Sequence, residues 1–461
     1  MGIAVVPGVT TAPVEHRILA GVLIKNATLV AWDPPLVERA DIRVQADRIV
    51  ERGATLASIE GEEEVDLSGR LILPGQVNAH THLYSTFARG WPGPTPPPRK
   101  FLEILESVWW RLDRALDEES IHLSALVGGI EAALSGTTVL LDHHSSPSFI
   151  HGSLDLLRRA LEEVGVRSVL CYEVTDRNGL ADRDRGIEEN LGFQKAHRTG
   201  LTRGMMGAHA SFTLSDESLE RLSDAVRRSG TSLHLHAAED RADVEDCRKR
   251  HFLSIPERLI RHDLIISRTI LAHGVHLSPA DIENVHAHGG WIVHNPRSNM
   301  NNSVGHAPSA ALKRGALGTD GLGHDLFAEA HAAYLKMRDT GHRRAAEPVV
   351  RLLAGGHRLA AALFGLPFGK LDVGGPADLV VLDYPTPTPI ETASLAGHLL
   401  FGMDRSHVES VLVAGRWIVR DGVVTGVDVE AAYARARQAA RALWQRIESL
   451  PAAASDGKKG A

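Results

Sequence analysis

Hydrophobic and polar positions follow two rhythms along this 461-residue chain. From Ile24 to about Leu73 apolar residues alternate with polar ones in VLIKNATLVAW, ADIRVQADRIVE and GRLILPG, with Gly, Asp and Pro between the runs. Period-two alternation of this kind predicts short strands joined by turns. The same rhythm returns at ADLVVLDY, Ala377 to Tyr384, and at VESVLVAGRWIVRDGVVTG, Val408 to Gly426. Two β-rich pieces at opposite ends of a chain can pair, which predicts one small composite β-sandwich from residues 20–73 and 366–427.

The span between them, residues 74–365, reads differently. Eight apolar runs recur, each followed by a helical, charge-bearing stretch: ILPGQVNAHTH, TTVLLDHH, RSVLCYEV, TRGMMGAHA, TSLHLHAAE, TILAHGVHL, WIVHNP and ALGTDG. Eight β/α alternations predict an α/β fold, a closed parallel TIM-type (β/α)8 barrel. Between the runs, EESIHLSALVGGIEAALSG and DESLERLSDAVRRSG space their apolar residues by three and four, as amphipathic helices do. The segment VEAAYARARQAARALWQRIESL predicts one further helix over 428–450. Residues 1–19 read as a loose arm and 451–461 as a disordered tail.

Composition narrows the partners. Apolar residues make up 43% of the chain, enough for a sizeable core. The net charge of −7 comes from 50 basic and 57 acidic residues spread along the whole length. No basic block points to nucleic acid, and no apolar run reaches the ~18 residues of a membrane span. A small molecule is the expected partner, with further copies of the chain in a homo-oligomer. The two cysteines, Cys171 and Cys247, form no disulfide framework, and the N-terminus lacks a charged start followed by an apolar core. Both features predict a cytoplasmic protein.

Many of the 25 histidines sit at the ends of the apolar runs, though most must have structural roles. In a barrel the C-terminal strand ends carry the chemistry, so placement and fold agree. His80 and His82 form an H-x-H pair ending the first run; residues two apart in a strand project to one side, so both imidazoles can reach one ion. The fifth run offers His234, His236 and Glu239, the sixth His273 and His276, and the eighth Asp320. Three imidazoles and a carboxylate suit one divalent metal ion, Zn²⁺ first, with Fe²⁺ and Mn²⁺ chemically open.

These motifs, LPGQVNAHTH, GAHASFT, HLHAAE, LAHGVHL, VHNPRSN and LGTDG in that order, resemble the amidohydrolase superfamily, in its mononuclear deaminase and chlorohydrolase branch. The resemblance covers nearly all of residues 20–425. It implies metal ligands His80, His82, His236 and Asp320, a proton-shuttling acid at Glu239, and a histidine at His273 that touches water and substrate. It also implies a substrate contact at His209. Binuclear members need a bridging residue, often a carboxylated lysine, near the fourth strand. Here Lys195 is the only lysine between residues 101 and 248 and lies in a polar stretch before that strand, so a single metal is expected. SVWWRLDRALDEES, LLDHHSSPSFI, TDRN, VHNPRSNMNNSVG and GTDGLGHDLFAE further resemble the SsnA-type aminohydrolases, neighbours of guanine, 8-oxoguanine and pterin deaminases.

The implied function is metal-dependent hydrolytic deamination of an aminated purine- or pterin-like heterocycle. A metal lowers the pKa of water to roughly 7, and Glu239 would protonate the ring nitrogen and pass a proton to the departing amine. Asp320 would ligate the metal and hold the attacking water. Other expected substrate contacts are Trp110, His143 and Arg177. Of His143 and His144, one is expected to face the barrel mouth and the other to pack outside. Trp91, Trp109 and Trp110 lie in a Pro- and Gly-rich flap segment after the first run and could stack on a flat ring, or Trp109 and Trp110 could form helix core. Asp113 and Arg177 could each read a polar ring edge or form an ordinary salt bridge. His294, Asn295 and His306 are weaker candidates, and Asn299 is expected to fix its loop. Two rival readings stay open: dechlorination or ring opening on the same site, and a non-catalytic metal-binding scaffold.

Overall fold

A computed structural model describes residues 20–451 of the protein. The expected N-terminal arm, 1–19, and the expected tail from 452 onward lie outside the described residues. Each of the eight apolar runs supplies a barrel strand: β1 Gln76–Thr81, β2 Thr137–His144, β3 Arg167–Val174, β4 Met206–Ala210, β5 Leu233–Ala237, β6 Ile270–His273, β7 Trp291–His294 and β8 Gly315–Leu317. Neighbours in sequence pair in parallel from β1 to β8, and a parallel bridge between Thr81 and Asp320 brings the last run back to the first. The fourth run is split, because Thr202–Gly204 pairs separately with β3 before β4 begins.

β2 and β3 are buried at every position. Parallel strands covered on both faces have no solvent side, which is why the middle of each run, VLL in β2 and VLC in β3, is apolar without alternation while the polar residues sit at the strand ends. Val77, Val139, Val169, Ile270, Trp291 and Val293 fill the barrel interior below the site. The helices between strands begin and end where the sequence signals it. Ser215 caps the backbone N–H of Ser218 at the start of Asp216–Ser229, and Gly230 ends that helix at φ 68°, a conformation glycine adopts without strain. Ser278 and Pro279 open Pro279–Ala287 with a capping box. Against β8, helix Ala346–Phe364 comes so close that a Cβ on Gly355 would stand 1.7 Å from the Gly315 carbonyl oxygen.

The flanking β-rich pieces join in one mixed nine-stranded sheet. N- and C-terminal contributions meet where Leu71–Pro74 pairs antiparallel with Leu379–Leu382. Val22, Ile24, Leu29, Ile42, Val381 and Leu412 form its apolar cluster. A bidentate pair fastens this sheet to the barrel: Arg167 Nε and Nη2 lie 2.7 and 3.0 Å from the two Asp378 oxygens, and both side chains are buried. The C-terminal helix, Val429–Ser449, packs on the segment that follows β1. Among the described residues no helix is long and apolar enough to cross a membrane.

Candidate active site

His80 and His82 come from the end of β1, His236 from β5 and Asp320 from the turn after β8. His82 Nε2 stands 3.2 Å from His236 Nε2 and 3.1 Å from Asp320 Oδ1, and His80 Nε2 lies 3.7 Å from that same oxygen. The rings are fixed from behind. His82 Nδ1 donates to the His143 carbonyl at 2.5 Å, and His236 Nδ1 to the His209 carbonyl at 3.0 Å. His80 Nδ1 faces His234 Nε2 at 2.9 Å.

Those partners fix the tautomers. With Nδ1 of His82 and His236 protonated, their neutral forms turn both Nε2 lone pairs toward one another, an arrangement that a proton or a metal ion between them relieves. His80 Nε2 is buried without a hydrogen-bond partner among the described residues. A cation among these atoms resolves both problems. Ligands at ~2.0–2.1 Å from a tetrahedral ion stand about 3.3 Å from each other, close to the spacing of this cluster. The residues present therefore fit a single divalent ion. Burial keeps His80 neutral, down to about 3, and His236 well below the usual imidazole range. For Asp320, burial is outweighed by the His80 and His82 imidazoles facing it, which hold the carboxyl well below its usual range. Neutral imidazoles and an ionised carboxylate are the forms that bind metal. His82 differs: Asp320 overcomes the effect of burial and pushes it up to about 9, so metal uptake displaces a proton there. Ser298 Oγ donates to the other Asp320 oxygen.

Glu239 leaves β5 just beyond His236. Burial pushes its carboxyl up to about 7, against the opposing pull of His273. His273 Nε2 lies 3.4 Å from Glu239 Oε2, and Asn302 Nδ2 donates to Oε1 at 3.3 Å. His273 Nδ1 in turn donates to Asn299 Oδ1 at 2.8 Å, so Asn299, expected to fix a loop, stands in helix Pro296–Asn301 and orients the histidine. Ala238, His273 and Asp320 all adopt positive φ, at 51°, 76° and 51°. Such strain in non-glycine residues gathers where side chains must be aimed at a site.

Above this cluster lies a narrow cavity. His82, His236, His273, Asp320 and Glu239 form its floor; Tyr84, Phe101, Leu105, Trp109, Trp110 and Phe212 supply apolar walls; Asp113, Glu173, Asp240, Asp243 and Asn302 add polar groups. About 60 Å³ of it is open to the centres of water-sized spheres. His209 lies on the wall with Nδ1 2.9 Å from Thr213 Oγ1, and burial keeps it neutral, near 4.

Two expected substrate contacts fall elsewhere. His143 does point into the barrel, but beneath the cavity: Nε2 lies 3.0 Å from the Ala208 carbonyl and 3.2 Å from that of His234, with Nδ1 3.3 Å from Glu173. Its ring is spent on neighbouring strands and is fully buried. His144 packs on the other side, against Tyr84 and Tyr172. Arg177 stands behind the wall, paired with Asp113 and Glu173, its guanidinium 5.1 Å from the Trp110 ring. Trp91 is remote from the cavity, and His294 and His306 form a ring pair, 5.6 Å apart, away from it.

Glu173 was not anticipated. Burial would raise its carboxyl, but His209, His143 and Arg177 hold it well below the usual range. The signal was available, since Glu173 follows Cys171 and Val169 at period two on the inward face of β3. Tyr84 and Asn302, by contrast, sit in segments without periodicity.

The amidohydrolase family model matches residues 71–418. A 5-methylthioadenosine/S-adenosylhomocysteine deaminase of Desulforudis audaxviator is 30% identical over 428 residues, covering 89% of this chain and 95% of that one. An adenosine deaminase of Xanthomonas campestris, solved with bound zinc, superposes with a TM-score of 0.79 at 24% identity, over 93% of this chain and 99% of the other. The zinc complex of atrazine chlorohydrolase from Arthrobacter aurescens also gives 0.79, at 21% identity over 91% and 100%. The chain belongs to the amidohydrolase family and is a hydrolase acting on carbon–nitrogen bonds other than peptide bonds.

Proposed function

We propose that the protein is a metal-dependent hydrolytic deaminase of an aminated purine- or pterin-like heterocycle, using one zinc ion held by His80, His82, His236 and Asp320. The carrying observation is Glu239, a buried carboxyl that ionises near 7 and stands at the cavity floor beside the ligand cluster. A group with that pKa can both give and take a proton at neutral pH, as deamination requires. The 30% identical deaminase acts, by its name, on adenosine-type purines, and supports the same chemistry here.

When bound, the ion supplies the Lewis acidity that turns water into a nucleophile at neutral pH. Glu239 in its protonated form donates to the ring nitrogen beside the amino-bearing carbon, making that carbon electrophilic. As water adds and gives up a proton, the Glu239 carboxylate takes it and delivers it to the departing nitrogen; ammonia leaves, and the remaining hydroxyl proton of the collapsing adduct restores Glu239. His273, held by Asn299, presents Nε2 to water or substrate across from Glu239, and Asp320 holds the water. Trp110 and His209 flank the ring. His143 and Arg177 serve the site from behind. We assign residues 74–365 to the catalytic barrel, 20–73 and 366–427 to the flanking unit, and 428–450 to the C-terminal helix.

A screen of aminopurines, pterins and chlorinated triazines tests the assignment, reading ammonia and chloride in the same wells. Ammonia from a purine or pterin supports it; chloride alone would move the protein to the dechlorinating reading suggested by its structural likeness to the chlorohydrolase.

A further inference from the structure

The cavity wall around Asp113 and Trp110, the latter edge-on to His209 at 6.0 Å, is more specifically built than a general apolar wall. Asp113 and Trp110, one turn apart on helix Trp110–Ala115, both line it. Asp113 is 1% exposed and fully committed on one side only: Oδ2 takes Arg177 Nη2 and Ser145 Oγ, the latter at 3.0 Å, while Oδ1 has no hydrogen-bond partner among the described residues. Trp110 Nε1 is likewise buried without a partner. Side chains from elsewhere hold both in place. Arg177 stacks 5.1 Å from the Trp110 ring while pairing with Asp113, and its Nη2 is 3.6 Å from Glu173. One guanidinium thus serves two carboxylates, leaving acceptor capacity in excess at this end.

The helix carrying them is also clamped in place. Arg111 Nη2 donates to the carbonyls of Ile447 and Leu450 at 2.6 and 3.0 Å, and Arg446 Nε to that of Ala115 at 2.7 Å. Trp444 Nε1 bonds the Phe87 carbonyl at 2.8 Å, fixing the turn before the flap. A wall pinned by the C-terminal helix leaves a slot suited to one flat ring. The room for a larger group lies outside it, in a neighbouring cleft of about 770 Å³ that shares Trp109 and Gly321 with the slot.

A buried acceptor beside a buried donor, both unmatched, recognises the complementary pair on a ligand, and mismatching it leaves buried groups unpaired. We infer that the protein takes a free heterocyclic base in preference to its nucleoside, with Asp113 Oδ1 accepting from a ring N–H and Trp110 Nε1 donating to the adjacent acceptor. Glycosylation removes that N–H, so a nucleoside forfeits the contact and must displace the clamped wall. The inference rests on the deaminase reading only in taking a purine-type heterocycle as ligand.

Equilibrium binding by tryptophan fluorescence on the zinc-loaded protein separates the two claims. The probes are adenine, 9-methyladenine and 5-methylthioadenosine, and guanine, 9-methylguanine and guanosine, with ammonia read in parallel. At least one free base is expected to bind about 10- to 100-fold tighter than its methylated and glycosylated forms, a range set by one lost hydrogen bond to a charged acceptor. Asp113→Asn and Trp110→Phe should each erase most of that preference while keeping the bound zinc. Trp110→Phe retains the ring over Arg177 and covers the case in which Asp113→Asn folds poorly. Nucleosides binding as tightly as bases, a preference unchanged in both variants, or no binding by either base would overturn the inference. Base-selective binding without ammonia would leave it standing and sink the deaminase reading instead.

Discussion

Replacing Glu239 by Gln separates what this residue does for catalysis from what it costs the fold. The amide keeps the shape and can still accept from Asn302 Nδ2 while donating toward His273 Nε2, so the local geometry holds. Activity should fall by ~10²–10⁴-fold, the usual contribution of a positioned proton donor. Stability should move the other way. Burial pushes this carboxyl up to about 7 from the usual 4.5. In the open chain it ionises first, so below 4.5 it costs the fold nothing, and the cost grows until it is complete above 7. Integrated over that window, the ionised carboxylate destabilises the metal-free fold by about 3 kcal/mol. Glu239→Gln should therefore raise the urea midpoint of the metal-free protein at pH 8 and leave it nearly unchanged at pH 4.5. Elemental analysis should find the same zinc content as wild type. Retained ammonia release, or an equal stability gain at both pH values, would refute the reasoning.

Three further outcomes follow from the geometry. His236→Ala removes one of the two facing Nε2 lone pairs, and elemental analysis should find the metal lost while circular dichroism reports an intact barrel. Asn299→Leu releases His273 Nδ1 from its 2.8 Å partner and should lower kcat by ~10–100-fold, as loss of a ligand-orienting bond does elsewhere, with zinc content unchanged. Asp378→Ala strands the buried Arg167 guanidinium between barrel and flanking sheet, and should cost about 3–5 kcal/mol in denaturant titrations; a smaller loss in Arg167→Met/Asp378→Leu would confirm that the unpaired charge is responsible.

The barrel was legible because its strands are buried on both faces, which leaves eight apolar-rich runs each followed by a helical stretch, and because their histidines and carboxylates collect at the C-terminal ends. The split flanking sheet was legible from its period-two alternation. For the ligand set, H-x-H and H-L-H follow a strand's period directly, which also explains why His234 lies one layer below His236, against His80. The rest depended on contacts between distant segments. Nothing near Arg177 announces Asp113, 64 residues away, or that the pair would stand behind Trp110. In the His143–His144 pair, strand alternation requires opposite directions but does not say how deep in the barrel the inward ring sits. That depth follows from the register of β2 against β3, which sets His143 beside Cys171 and places its ring below the mouth.

The central claim, a one-metal hydrolytic deaminase, is tested most directly by a mass balance on the purified protein. Substrate consumed and ammonia released are measured together, before chelation, after chelation and after restoring one equivalent of zinc. The account predicts one ammonia per substrate consumed, loss of turnover on chelation and full recovery at one zinc per chain. Substrate consumed without ammonia, or turnover indifferent to chelation, would contradict it.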